Sequence, residues 1–598
     1  MAAESVRVAL GPMDRKRILR AYEDLRDSIG KDLKSLYTSR DSRGRACDVL
    51  YYFWVMQAPC PACGQPVDLF PSWVIARNAY PDKKRVVQVL CPSCGDIFPG
   101  WHRQETAVCP TCRASFDPEK GPAHGAKATC CHCTHPFTIL DAVSKSRSRP
   151  AFRLYGKLVL GRDDRKEYLP ATEEDQESYR ECTQRLRYEE AQGQILLPSL
   201  ALENGYNTRQ AMSYAFRTWR DFFNDRQLLA LGRLRAAIAS LDDAPTRGAL
   251  LTLFSGVLEF NNLFASYKGE GTGAVRHMFS HHILKPERTP IEANVWGTPK
   301  SSGSFQTLFR NRLLRAIQYR GAPTEVNGPK SRPSLICSTP FTGRIEQKWP
   351  TAGGFAPRAV YLSCGDSAAT ELPDRGVDLV VTDPPFFDNV HYSELADFFH
   401  AWQQLGTSQE VGPETTTRIS LEVQDSDAES FALKLEGVFR ECGRILKEDG
   451  LLVFTYHHSR NEGWKALAAA ITGAGFVVVN SQPVKAELSV ATPKSQAKEP
   501  IQLDIIIVCR RASAAGRVRP SAEKALESAK AKLRRLRDAG FRLSRNDRKI
   551  VLFGQLLTSV RSIADIGLIA RLVERELDHV GHEEPLPKSR QLSFLEEL

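Results

Sequence analysis

Four Cys-x-x-Cys pairs stand in order along the N-terminal part of the sequence: Cys60/Cys63, Cys91/Cys94, Cys109/Cys112 and Cys130/Cys133. Two residues between thiolates let one turn present both sulfurs to one ion. The Pro and Gly of CPACG and CPSCG favour that turn. Two such pairs complete a tetrahedral four-thiolate zinc site, so eight ligands predict two Zn ions. Spacing leaves two pairings open. One is sequential. The other is nested, with Cys91/Cys94 meeting Cys109/Cys112 while the outer pairs meet each other. Cys131 and His132 are alternatives to Cys130. A closed four-thiolate site has no position for water, so these ions hold a fold and do no catalysis. Lys83, Lys84 and Arg85 between the knuckles form either a nucleic-acid contact or a solvated turn.

A second constellation is VDLVVTDPPFFDN (377–389), an apolar run ending in Asp383 and followed by Pro384, Pro385 and Phe386. These residue types suit methylation of an exocyclic amine. In adenine or cytosine the amine lone pair is delocalised into the ring. A carboxylate accepting one N–H and a backbone carbonyl accepting the other favour a tetrahedral nitrogen. Two prolines hold that carbonyl rigidly, and an aromatic ring stacks on a base taken out of the helix. Ligands of α/β sheets sit at strand ends of this kind. The plain alternative is a tight turn closing a strand.

The elements around the motif alternate. AVYLSCGD (359–366), VDLVVTD (377–383), LLVFTYHH (451–458), FVVVNSQ (476–482) and LDIIIVCRR (503–511) read as strands. Residues 392–405, 429–446 and 463–475 read as helices. Such alternation predicts a mostly parallel, twisted α/β sheet with one antiparallel edge near the end. The rest divides into a helical lead-in (1–55), a double zinc ribbon (56–140), a mixed, mainly helical middle (141–350), the catalytic half (351–511) and a basic helical tail (512–598).

The 598 residues exceed what one core holds. Of 15 Cys, nine lie between Cys60 and Cys133, which favours metal over disulfides in a reducing, cytoplasmic setting. The net charge of +11 permits nucleic acid as a partner. The longest nearly uncharged apolar stretch, 248–260, is too short to span a membrane.

GDSAATELPDRGVDLVVTDPPF, with Asp366 ending one strand and the motif ending the next, resembles the S-adenosylmethionine (SAM)-dependent DNA amino-methyltransferases. Together with FFDNVHYSELADFFHAW (386–402), the zinc knuckles and WRDFFNDRQLLAL (219–231), it resembles large adenine-specific DNA methylases containing a zinc ribbon. The likeness covers most of 45–511. It implies a partial Rossmann-like methyltransferase sheet, DNA as substrate and SAM as cofactor, beside structural Zn. Asp366 and Gly365 would lie by the cofactor, and Asp383, Pro384, Pro385 and Phe386 would hold the target amine. A setting in restriction–modification or phage defence in a prokaryote, close to the nucleoid, is likewise implied.

The chain departs from that family in lacking a clear Gly-rich cofactor turn after a first strand. GEGTG (269–273), TPFTGR (339–344) and TAGGF (351–355) are the nearest sequences, and GEGTG alone offers a cofactor or substrate loop. The expectation is a second protein chain that carries the Gly-rich SAM motif. Phe387, Asp388, Asn389 and Tyr392 are candidates to shape the base pocket, and His457 and His458 to contact the target or a phosphate. His277, His281, His282 and Glu287 read as packing or DNA contacts. The basic helix 522–549 could track phosphates. QLSFL (591–595) loosely resembles sliding-clamp-binding peptides. Two other functions fit the same sequence: a zinc-ribbon DNA-binding subunit with a vestigial catalytic fold, and methylation of RNA.

Overall fold

The computed structural model describes residues 2–579 except 147, 162, 272–273, 281–282, 326–333, 336–338, 341–342, 351–355, 388–390, 407–414, 487–500 and 517–518. Asp388, Asn389, His281, His282, the last two residues of GEGTG, TAGGF and QLSFL therefore lie outside the described residues. The chain forms two compact units, one of Met1–Cys364 with Tyr392–Arg418, the other of Gly365–His391 with Ile419–Leu598. Among the described residues no helix is long and apolar enough to cross a membrane.

The first unit is organised by a 14-residue strand, Ala46–Pro59, where the sequence predicts the end of a helical lead-in. Its run YYFWV is buried on both faces, which makes it a central strand. It pairs antiparallel with Thr38–Arg40, Pro66–Asp68, Ala151–Leu160 and Ile291–Ala293. Its longer helices include Glu173–Ala191, Asp225–Ala239, Ala244–Leu258 and Tyr392–Gln403. Two fully buried ion pairs tie helices to the sheet: Lys157–Asp175 at 2.6 Å and Arg226–Glu292 at 2.8 Å. WRDFFNDRQLLAL serves this core. Phe222 stacks on Phe264, and Arg235 donates to the Trp402 carbonyl.

The second unit holds a four-stranded sheet in the spatial order Val377–Thr382, Leu446–Tyr456, Leu503–Arg511, Phe476–Lys485. The first two strands are parallel, with Val380 opposite Leu452 and Thr382 opposite Phe454. The last strand in sequence runs antiparallel to both its neighbours. It lies inside the sheet, where the sequence pattern predicts an edge. The reason is its composition: Ile505, Ile507 and Cys509 are buried while Ile506 and Val508 are half-buried on the opposite face. A strand apolar on both faces is stable only between two others.

One face of this sheet, through Leu452, Phe454, Tyr456, Ile505, Ile507 and Cys509, packs in a single core with helices Ala428–Ile445 and Asn461–Gly473. Helices Ala522–Asp538, Arg545–Leu556 and Ile563–His579 enter the same core through Leu526, Phe553 and Val573. The expected tail is thus part of this domain. Its basic helix buries an apolar stripe and keeps Lys and Arg at its margins. AVYLSCGD also departs from expectation. Only Ala359–Tyr361 is a strand, and it pairs in parallel with Arg344–Glu346 in the first unit.

The segment leading to the motif is clamped to helix Ala428–Ile445. The Thr370 amide donates to Glu441 at 2.9 Å, and Arg444 donates to the Leu372 carbonyl and to Glu441, both at 2.7 Å. Hydrogen bonds from Arg444 and Thr370 overcome the effect of burial and hold the Glu441 carboxyl down at about 2. A depressed carboxylate stabilises the fold fully above its unfolded pKa and loses that contribution as pH falls toward the folded value. Stability should therefore decline between about pH 5 and pH 2, and Glu441→Gln should flatten that limb in acid-denaturation curves.

Candidate functional site

Each Cys-x-x-Cys pair is the turn of a β-hairpin, and the four turns are built alike. The amide four residues after the first Cys donates to that Cys carbonyl: Gly64 to Cys60 at 2.8 Å, Gly95 to Cys91 at 3.0 Å, Arg113 to Cys109 at 3.1 Å and Thr134 to Cys130 at 2.9 Å. All four donors have positive φ, at 71°, 75°, 64° and 59°. Glycine occupies that conformation freely in two of the turns, while Arg113 and Thr134 accept its steric cost.

The knuckles assemble in the nested arrangement. Cys60, Cys63, Cys130 and Cys133 form one tetrad, and Cys91, Cys94, Cys109 and Cys112 the other. Cys130 completes the outer tetrad. Cys131 and His132 stand outside it, and the His132 amide points at the Cys130 sulfur, 3.4 Å away. Cys60–Cys133 and Cys63–Cys130 are 3.7 Å apart, Cys91–Cys112 3.5 Å and Cys94–Cys109 3.6 Å. Four sulfurs held about 2.3 Å from one Zn lie about 3.8 Å from each other. The tetrads fit the ion without rearrangement. Burial opposes ionisation of Cys60 and Cys109, but the knuckle amides and neighbouring sulfurs outweigh it and bring both to about 7. At Cys94 and Cys133 a backbone amide is outweighed by burial and the facing sulfurs, which push both up to about 12, so each tetrad starts from one favoured thiolate. Thiolates so favoured are ready ligands.

The TDPPF motif lies in the second unit. The parallel strand Val377–Thr382 ends directly before Asp383, whose side chain is exposed. The Thr455 hydroxyl of the neighbouring strand donates a hydrogen bond to Asp383 Oδ1. That contact orients one oxygen of an otherwise exposed carboxylate. Pro384 is buried and Phe386 half-buried. The Phe386 ring meets Tyr456 edge-on at 5.5 Å and the His457 imidazole at 4.4 Å between centroids. His457 Nδ1 in turn hydrogen-bonds the Asp504 carboxylate. Because a carboxylate only accepts, Nδ1 is the donor in this contact, which fixes the orientation of the ring.

The remaining sequence candidates fall in several places. Phe387 is only 3% exposed. Its φ of 55° turns it under the motif, where its ring packs on Phe431 and His458 and its carbonyl accepts from Gln424. His458 is buried, its Nδ1 accepts from the Arg460 amide at 3.1 Å, and its carbonyl accepts from Trp464 at 2.9 Å. It shapes the turn after the strand. Tyr392 is exposed and opens a helix of the first unit. Asp366 and Gly365 are exposed at the start of the second unit, where the Asp366 carboxylate accepts from the Ala368 amide at 2.8 Å. GEGTG belongs to the first unit. Gly269 presses so closely on the Arg77 carbonyl that a Cβ there would lie 1.9 Å from its oxygen. His277 stands 3.8 Å from Glu259.

Thr455 and Asp504 are not among the candidates the sequence offers. Thr455 could have been found from parallel register alone, since Thr382 faces Phe454 and Asp383 comes next. Asp504 could not. It is the second residue of a strand that follows His457 only after a helix and another strand, and only the insertion of that strand beside Leu446–Tyr456 brings the two together.

No curated protein matches the chain in sequence. Residues 377–549, from the strand that leads into Asp383 as far as helix Arg545–Leu556, match the model of a DNA methylase family, and the two four-cysteine groups lie outside that span.

Proposed function

We propose that the second unit methylates the exocyclic amine of a DNA base, adenine at N6, after the base has left the duplex. The observation that carries this is the placement of Asp383 at the C-terminal end of a parallel strand, oriented by Thr455, with Phe386 beside it. Asp383 and the Pro384 carbonyl accept the two amine hydrogens, which localises the lone pair on nitrogen. Phe386 stacks on the base. Asp504 holds the His457 imidazole against Phe386, where the ring lines the pocket for the base. SAM, the methyl donor that methylases of this kind use, supplies a sulfonium methyl when bound. Transfer of tritium from labelled SAM to adenine-containing DNA tests the reading, and RNA of the same sequence tests the substrate class.

The fit to SAM is partial. The described residues of this unit offer Asp366 and Gly365, but no Gly-rich turn ending a strand beside Val377–Thr382. That strand also has one free edge: among the described residues it pairs only with Leu446–Tyr456. Its Leu379 and Val381 are 50% and 70% exposed. An apolar, unpaired edge invites another strand. A second chain that adds parallel strands there and carries the Gly-rich motif satisfies both observations. The isolated chain should then give little heat with SAM in calorimetry, and the chain with its partner a clear binding isotherm. Tight binding by the isolated chain would remove the need for a partner. The resemblance of the sequence supports a role for such a mark in restriction–modification or phage defence.

A further inference from the structure

The inner zinc ribbon of the first unit carries a face that neither the tetrads nor the methylase domain uses. Arg77, Lys83, Lys84 and Arg85 line one open concavity of about 500 Å³ together with Tyr168 and Glu270. All four cations are exposed, and none has an ion-pair partner among the described residues. Glu270 is engaged by Lys166 at 3.2 Å. Four exposed cations on one small surface give it a local positive potential that favours an anionic occupant.

An aromatic surface adjoins the cations. Val86 lines the concavity, and in the Val86–Leu90/Ile97–Trp101 hairpin it stands directly opposite Trp101. Cross-strand partners share a face of the hairpin. Trp101 is 62% exposed, Val86 51% and, at the turn before them, Tyr80 42%. The hairpin is rigid where it matters. The Lys83 and Lys84 amides both donate to the Tyr80 carbonyl, at 3.1 and 2.9 Å, and the His102 amide donates to the Arg85 carbonyl at 2.7 Å. The next turn along is the Cys91/Cys94 knuckle. Across the hairpin, Gly269 fits against the Arg77 carbonyl only because it lacks a side chain, and the Ala79 amide donates to the Glu270 carbonyl at 2.8 Å.

We propose that this ribbon face binds a single-stranded segment of nucleic acid, phosphates on Arg77, Lys83, Lys84 and Arg85, and an unpaired base stacked on Trp101. Cations alone would suit any polyanion. A neighbouring, largely exposed indole on a metal-stapled hairpin selects a strand whose bases have free faces, since duplex bases are stacked on each other. The proposal rests on the methylase reading only for the expectation that nucleic acid is what this chain meets; the binding itself requires no methyl transfer.

Fluorescence anisotropy with the full zinc-loaded chain tests it, using labelled single-stranded DNA, single-stranded RNA and duplex DNA of one sequence across a salt series. The single strands should bind more tightly than the duplex. Lys83→Glu with Lys84→Glu should weaken single-strand binding by about tenfold or more and reduce the salt slope by about 0.7 for each phosphate no longer neutralised. Trp101→Ala should weaken it by about five- to a hundredfold with the slope unchanged, and Trp101→Phe should retain most of the affinity. Zinc content equal to wild type certifies that each ribbon is intact. Variants that bind the single strand as wild type does, or a duplex preference indifferent to Trp101, would overturn the proposal. Trp101-dependent binding by a protein that methylates nothing even in extracts of the cells that make it, where any partner chain is present, would leave it standing and refute the methylase reading instead.

Discussion

Asp383→Ala should lower methyl transfer by about 10²–10⁴-fold, the range a positioned acid or base contributes, while zinc content and thermal unfolding stay at wild-type values. The side chain is exposed and accepts a hydrogen bond from Thr455. Its removal leaves no buried charge unpaired and no cavity in the core. The loss should therefore appear in the single-turnover rate, with DNA affinity nearly unchanged, because the carboxylate acts on the nitrogen as it becomes tetrahedral. Thr455→Val should be milder, a loss of about 10–100-fold, corresponding to one hydrogen bond to a charged group. Phe386→Ala should act on base capture, and so on the substrate concentration needed for half-maximal rate. An Asp383→Ala protein with an unchanged single-turnover rate would detach the motif from the chemistry.

Two zinc ions per chain are expected by elemental analysis, and their removal should have the largest effect on stability. The tetrads stand at the tips of hairpins; the outer one leans on Met56, Leu69, Phe137 and Ile139 of a larger cluster, but the apolar cluster beneath the inner one is small. The inner one rests on Val87, Val89, Phe98 and Ala107. So little burial does not fold a β-ribbon alone, and metal binding supplies the difference, about 10–16 kcal/mol in isolated zinc fingers. Cys63→Ser should cost one ion and Cys94→Ser the other, each loosening its own ribbon. Cys131→Ser should cost none, since Cys131 lies outside the tetrad. Retention of both ions by Cys63→Ser would place the outer site on other ligands. Because Ala46–Pro59 runs directly into Cys60, loss of the outer ion should also fray the end of the central strand, which amide hydrogen exchange at residues 56–58 would report.

Much of this architecture is legible in local sequence. The knuckles announce themselves because two thiolates and their turn lie within five residues. The strand ending at Asp383 and the helices after it show their periodicities directly. What is not legible depends on pairings between distant segments. The nested linkage of Cys60/Cys63 with Cys130/Cys133 follows from both outer knuckles being hairpins beside the long central strand, which spacing does not encode. The interior position of Leu503–Arg511 is visible only in its two-sided apolarity, a signal that an edge reading overlooks. The helices beyond residue 511 read as a basic tail because charge dominates their composition, yet Leu526, Phe553 and Val573 are buried in the domain core. At the motif, Phe386 could be read from sequence, whereas the burial of Phe387 and the pairing of His457 with Asp504 required the fold.

The most direct test is nucleoside mass spectrometry of DNA from the cells that make this protein, where any partner chain is present. Cells with the wild-type chain should contain N6-methyldeoxyadenosine that disappears when Asp383→Ala replaces it at normal protein level. An amount of methylated adenine unchanged by that replacement would contradict the account.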